Sequence, residues 1–304
     1  MTRSDDPLCC CEYYTKEGER SHLLALCCDC VALDEAVDSL VSGGAVKPHL
    51  LPQILDTIEE RLRLPWPGGA VRFPLDKTVP LVLVPGLIWL ASLHILTALL
   101  TLLVILPLLV CVSVRLVVKL RPNTKFFLYC SYATAATLFY VYEVKCVGTF
   151  WDLPKLISWW ENLVLVLGML GMFLSYRQLR TELPHLGETG GKMCRICDVS
   201  VVGRDHHCVW LDLCISSSNL ATFTTFLSIT TFTCAHLALL LTSQACPGQL
   251  VGPVVLPSLC WPHQHNDRLL LVSGIYSALV ALLLAVLLLG QACRKIRSEY
   301  IVRH

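Results

Sequence analysis

Charge is what this chain has least of. Of its 304 residues only 15% are Asp, Glu, Lys or Arg, while 55% are hydrophobic. A soluble domain carries nearer a quarter charged residues, because it must cover its core with a wet surface. One large soluble core is therefore excluded. The net charge of +1 leaves no global basic field of the kind a nucleic-acid binder uses. No apolar run opens the chain, so no cleavable secretory signal is expected, and the first membrane span is expected to do the targeting. Polar residues inside the apolar blocks are few, among them His94, His236 and Cys234, and no charged pair marks an ion path. That disfavours a transporter. An isolated His in a span is more often tied to a backbone carbonyl or a neighbouring side chain.

What is present is a run of apolar blocks after residue 78. Residues 1–78 form a polar, charged N-terminal region, with a short amphipathic helix expected over 50–64, where Ile54, Ile58 and Leu62 recur at helical spacing. Pro65, Pro67, Gly68 and Gly69 then break the pattern. A helix needs about 20 apolar residues to cross a bilayer. Residues 79–120 are long enough for two crossings, with a tight turn near 96–100. Residues 126–142, 159–176, 223–242 and 269–291 are four further candidates. Trp159 and Trp160 stand at the interface position of the fourth span.

Orientation follows from the short loops. Arg115, Lys119, Arg121 and Lys125 cluster in one. Arg177, Arg180, Lys192, Arg195 and Arg204 cluster in another, and Arg294, Lys295, Arg297 and Arg303 follow the last span. Positive residues stay on the cytosolic side. The expected architecture is an all-α polytopic membrane protein with about six transmembrane helices and both termini in the cytosol. Spans 1–4 fall in 79–176, a cysteine-rich cytosolic loop in 177–222, spans 5–6 in 223–291 and a cytosolic tail in 292–304. If the first block crosses once, the count drops to five.

The chain has 17 cysteines. Cys9, Cys10, Cys11, Cys27, Cys28, Cys30, Cys194, Cys197, Cys208 and Cys214 fall in segments assigned to the cytosol, where thiols stay reduced and metal binding or reactivity is the expected use. The two N-terminal clusters are open to three readings: acylation sites, a separate metal knuckle, or idle thiols. Cys246 and Cys260 share a lumenal loop and are candidates for pairing. The informative stretch is Cys194-Arg-Ile-Cys197, then Asp205-His206-His207-Cys208, then Cys214. A C-x-x-C knuckle lets two thiolates of one turn reach one zinc ion. A thiol beside an imidazole is activated as a nucleophile, and a carboxylate beside that imidazole fixes its tautomer. The plain alternative is a purely structural zinc knob. Against it, a closed zinc site takes four ligands and this stretch offers six Cys and His side chains.

The stretch resembles the cysteine-rich domain of the DHHC-type protein S-acyltransferases (palmitoyltransferases). Cys208, Cys214, Asn219 and Phe223 keep that family's spacing, and Trp210 follows the tetrapeptide as is usual there. The segments 7–13 and 27–30 resemble one subtype within the family. The resemblance implies Cys208 as the acyl-accepting nucleophile, His206 as general base and acid, Asp205 as its orienting group, and one zinc held by Cys194, Cys197, His207 and Cys214. It implies ping-pong transfer from acyl-CoA to cysteine-bearing substrate proteins, a membrane lipid setting, and Golgi or endoplasmic reticulum residence. The family's second zinc site is missing. Its His and late Cys positions hold Met193 and Ser200, and its early pair falls at Arg180 and Leu183. The Thr-Thr-x-Glu motif after the last span is at best echoed by Arg297-Ser-Glu299. The alternative the departures raise is a catalytically weak member acting as a membrane scaffold or adaptor.

Overall fold

The structure is a computed structural model, and it describes residues 12–15, 18, 20–22, 30–42, 47, 50–120, 125–147, 159–182, 191–246 and 261–303. The chain divides into two compact units. One comprises Met1–Pro80 with Val112–Phe126, the other Leu81–Cys111 with Phe127–His304. Cys9, Cys10, Cys11, Cys27 and Cys28 lie outside the described residues, as does Cys260; Cys246 is disulfide-bonded.

The first unit holds a hairpin of β1 (Glu12–Tyr14) and β2 (Arg20–His22), two helices α1 (Cys30–Val41) and α2 (Leu50–Arg61), and a second hairpin of β3 (Arg63–Leu64) and β4 (Val71–Arg72). Ile54 and Ile58 pack on Ala32 and Ala36 of α1, as the helical spacing predicts. Leu62 does not join them. The chain leaves the helix at Arg61 to enter β3, and Leu62 is exposed.

The remaining helices are α3 (Leu75–Ala91), α4 (Ile95–Leu100), α5 (Leu106–Leu120), α6 (Phe126–Tyr140), α7 (Trp159–Thr181), α8 (Leu220–Ala245) and α9 (His265–Arg303). A π-helical stretch, Thr101–Ile105, joins α4 to α5, and a second, Val141–Val147, extends α6. Among the described residues four helices are long and apolar enough to cross a membrane: Ile95–Ser113, Trp159–Thr181, Leu220–Ala245 and His265–Arg294. As regular helices α3 and α6 are shorter, at 17 and 15 residues. The turn expected near 96–100 lies at 92–94 instead. Ser92 Oγ donates to the Trp89 carbonyl at 2.6 Å, and His94 caps α4, its Nδ1 accepting from the Leu96 amide while its own amide donates to Thr97 Oγ1. Capping chemistry, which a hydropathy reading ignores, sets the break there.

Helices α7, α8 and α9 pack side by side. A Cβ added at Gly168 of α7 would meet Thr233 Oγ1 of α8 at 2.5 Å, and one at Gly274 of α9 would meet Thr242 of α8 at 2.7 Å, so glycine sets these helix separations. His236 Nε2 lies 3.2 Å from the Glu161 carbonyl across the α7–α8 seam, the backbone tie expected of an isolated His in a span.

Candidate active site and metal centre

Between α7 and α8 the chain forms two antiparallel hairpins. One pairs β5 (Gly191–Cys194) with β6 (Val199–Val202), the other β7 (Arg204–Cys208) with β8 (Leu213–Ser216). Apart from Cys197, which lies in a turn, the expected site residues therefore sit on strands. The knuckle Cys194–Cys197 is the turn of the first hairpin, closed by the Asp198 amide donating to the Cys194 carbonyl at 2.8 Å. Asp198 takes φ 55°, a conformation that Asp tolerates better than most residues.

Strand alternation divides the tetrapeptide. Successive strand residues point to opposite faces, and directly paired residues of two strands share a face. His207 pairs with Cys214, whereas His206 pairs with Ile215 and Cys208 with Leu213. The sulfurs of Cys194, Cys197 and Cys214 and a ring nitrogen of His207 accordingly converge, all within 4.8 Å of one another. His207 Nδ1 is 3.3 Å from Cys197 Sγ, 3.5 Å from Cys214 Sγ and 3.8 Å from Cys194 Sγ. His206 and Cys208 face the other way, into an apolar cluster of Leu179, Leu211, Ile215, Phe223 and Leu227 that also takes in Leu284 and Leu288 of α9. The His206 ring lies edge-on to Phe223, centroids 5.5 Å apart.

Asp205 should by strict alternation face away from His206. It does not, because the β7–β8 register slips between Arg204 and His206. This bulge gives β7 an extra residue and re-aims it, the usual work of a bulge beside a site. Asp205 Oδ2 thereby comes within 2.9 Å of His206 Nδ1. Burial pushes the Asp205 carboxyl up. The hydrogen bond and charge of His206, the charge of Arg294 and a hydrogen bond with Gln291 outweigh it and hold the group below the usual carboxylate range. Burial raises the Cys208 thiol, opposed by the backbone amides of Leu211 and Trp210. Burial thus favours the protonated thiol of Cys208.

The four-residue cluster suits zinc in its donor set. Burial opposes a charge on Cys194, but the Cys197 and Ile196 amides and the neighbouring thiols favour it and lower that group overall. Burial raises Cys214, and repulsion from Cys197 and Cys194 raises it further. Three sulfurs this close can all be thiolates only with a cation among them, which makes the cluster compatible with zinc. Burial holds His207 below the ordinary imidazole value; the Asp212 charge opposes this, and Arg204 and His206 add to it, which favours the neutral form a ligand needs. Asp212 Oδ1 backs its other nitrogen at 3.9 Å.

Residues 189–299 match the family model described as DHHC palmitoyltransferase. Over 91% of its length the chain is 27% identical to palmitoyltransferase ZDHHC23-B of Danio rerio, covering 79% of that protein. Residues 189–299 thus carry a DHHC-type domain. It is also 27% identical to palmitoyltransferase ZDHHC23 of Mus musculus, with 74% of this chain and 67% of the relative aligned. Against its Homo sapiens counterpart a 91-residue stretch is 42% identical. The subtype that segments 7–13 and 27–30 resemble is the one these relatives carry. No solved structure matches the chain.

The departures from the DHHC pattern have structural counterparts. Met193 and Ser200 face each other across the β5–β6 ladder, and Arg180 lies in the last turn of α7. Leu183 lies outside the described residues. Asn219 is 1% exposed. Its Oδ1 accepts the Ser216 amide at 2.9 Å, and its Nδ2 donates to the carbonyl of Cys214 at 3.1 Å and to that of Glu182 at 3.4 Å. It ties the metal hairpin to the end of α7. Phe127 and Ser131 of α6 hold Trp210, the first by an edge contact at 5.0 Å, the second by donating to the Trp210 carbonyl at 3.2 Å. Sequence reasoning missed Asp212, Gln291 and Arg294. Asp212 had a local signal, an acidic residue two places before a ligand Cys; the other two reach Asp205 only through the tertiary fold.

Proposed function

We propose that this chain is a protein S-acyltransferase that moves a fatty acyl group from acyl-CoA to cysteines of substrate proteins. The observation that carries the reading is the division of β7: Asp205 paired with His206 beside Cys208 on one face, His207 among three cysteines on the other. Cys194, Cys197, His207 and Cys214 hold one zinc, which neutralises the thiolates and fastens the two hairpins together.

In the first half-reaction His206 takes the Cys208 proton and the sulfur attacks the acyl-CoA thioester carbonyl. The C–S bond to CoA breaks, and the proton passes from His206 to the departing CoA sulfur. In the second, His206 takes the proton of a substrate cysteine, whose thiolate attacks the Cys208 acyl group; Cys208 leaves and is reprotonated. Asp205 keeps His206 in one tautomer throughout. One thioester replaces another, so the enzyme supplies position and thiolate activation rather than driving force. The apolar cluster beneath Cys208, with residues of α7, α8 and α9, admits an acyl chain where the domain meets the membrane helices.

The chain crosses the bilayer about six times. The four long helices are joined by α3 and by α6, whose π-helical extension lengthens it. The N-terminal region, residues 177–222 and residues 292–304 face the cytosol of Golgi or endoplasmic reticulum membranes, following the Lys and Arg distribution. Incubating purified protein with labelled palmitoyl-CoA tests the activity. A hydroxylamine-labile label that disappears in Cys208→Ser is the expected result; no label at saturating acyl-CoA refutes the reading.

A further inference from the structure

We propose that Arg204 is a positioning residue for the Asp205–His206 pair, fastening the reacting strand to the metal-bearing hairpin; this rests on the acyltransferase reading above. The four metal donors gather at the knuckle end of β5–β6. One residue further along, Met193 faces Ser200, and a thioether and a hydroxyl are both poor zinc ligands. At that level the hairpin is tied by a side chain. Arg204 leaves β7 and its Nη1 donates to the Met193 carbonyl at 2.5 Å.

The location gives this bond its importance. Arg204 is the residue before the bulge, so it is the N-terminal flank of the distortion that brings Asp205 to His206. On its other side Gly203 turns at φ 61°, its carbonyl accepting the Ser217 amide at 3.0 Å. Backbone pairing with Ser216 fixes where Arg204 lies along β8, and its side chain fixes β7 against β5. Together the two restraints define where residue 205 begins. The Nε of Arg204 is buried and has no hydrogen-bond partner among the described residues. A dry, unpartnered N–H is unfavourable. Arg204 is thus a poor residue for stability alone, and its reach across two hairpins is what it offers.

The test uses the full-length protein in nanodiscs, comparing wild type, Arg204→Met and Arg204→Lys. Single-turnover acylation by palmitoyl-CoA and zinc content by elemental analysis are both read. Methionine keeps the bulk and loses the donor; lysine restores one donor. The expected result for Arg204→Met is a loss of roughly 10- to 100-fold in maximal acylation rate, the scale of a displacement near 1 Å at a reacting group. The acyl-CoA concentration for half-maximal rate moves less than about two-fold and zinc stays at the wild-type level. Arg204→Lys recovers most of the rate. An unimpaired Arg204→Met overturns the proposal and leaves the acyltransferase reading intact. So does a variant that loses zinc and rate together, since Arg204 would then serve domain folding. A lysine variant as slow as the methionine one, zinc retained, overturns the hydrogen-bond account. Absence of label on the wild type overturns both readings.

Discussion

Changing Asp205 to Asn separates orientation from mere proximity. The carboxylate accepts from His206 Nδ1 at 2.9 Å, which leaves Nε2 free to act as the base. An Asn amide at the same place can turn its NH2 toward Nδ1, and the ring then carries its proton on Nε2, the wrong tautomer for taking one from a thiol. A hydrogen bond to a charged group contributes about 1.5–3 kcal/mol. His206 and Asp205 are 36% and 35% exposed, so solvent screening places this pair near the lower end, about 1.5–2 kcal/mol. At 1.36 kcal/mol per decade that is roughly a 10- to 30-fold loss of acylation rate. Asp205→Ala, which leaves the tautomer free, should lose less than Asp205→Asn. Stopped-flow or quenched single-turnover acylation with palmitoyl-CoA measures both, with elemental zinc as a control on the domain. An Asp205→Asn rate within two-fold of wild type, or an Ala variant slower than the Asn variant, refutes the tautomer argument.

Three further outcomes are expected. Elemental analysis should find one zinc per chain. Cys214→Ser should lose it and unfold the domain at lower temperature in a thermal-shift assay, whereas two zincs would contradict the ligand set. Gly203→Ala forces a side chain into the left-handed region and against Ser217, at a cost of about 1–2 kcal/mol by thermal or denaturant unfolding, with Gly203→Asn costing less. The pH responses have opposite origins. Burial raises the Cys208 thiol, so its reactive thiolate gains with rising pH and alkylation of Cys208 by a neutral maleimide should accelerate from pH 7 to 9. Protons compete with a metal for His207 and the three cysteines, so the stability of the metal-bearing domain should fall as pH falls. Melting temperature against pH checks the second.

Local chemistry was readable in the sequence, and register was not. The C-x-x-C pair Cys194–Cys197 was identifiable as half of a ligand set, the resemblance added His207 and Cys214, and the four converge. The roles of the two histidines came by resemblance; their physical basis is the pairing of His207 with Cys214, and no spacing reveals a pairing partner. The bulge at Asp205 is equally silent in the sequence, since it depends on how β7 meets β8. Helices α7, α8 and α9 were legible because their apolar runs are long. The stretch 79–142 was less so: Ser92, His94 and Thr97 place a break by capping, and two π-helical segments alter helix length, none of which hydropathy records. Gln291 closes the expected last span and Arg294 belongs to the expected tail, and both act on Asp205 only through the way α9 packs by the site.

The opposed directions of His206 and His207 give β7 something like a reading frame. Two jobs are interleaved on one strand with a period of two, so neither can drift without the other. A residue added or removed between His206 and His207 would exchange the faces of everything beyond it, turning Cys208 toward the metal and emptying the reaction face at one stroke. Loops that carry no site residue tolerate changes in length. Within these four residues the chain has no such freedom. The strictness of the tetrapeptide is therefore one of phase as much as of chemistry.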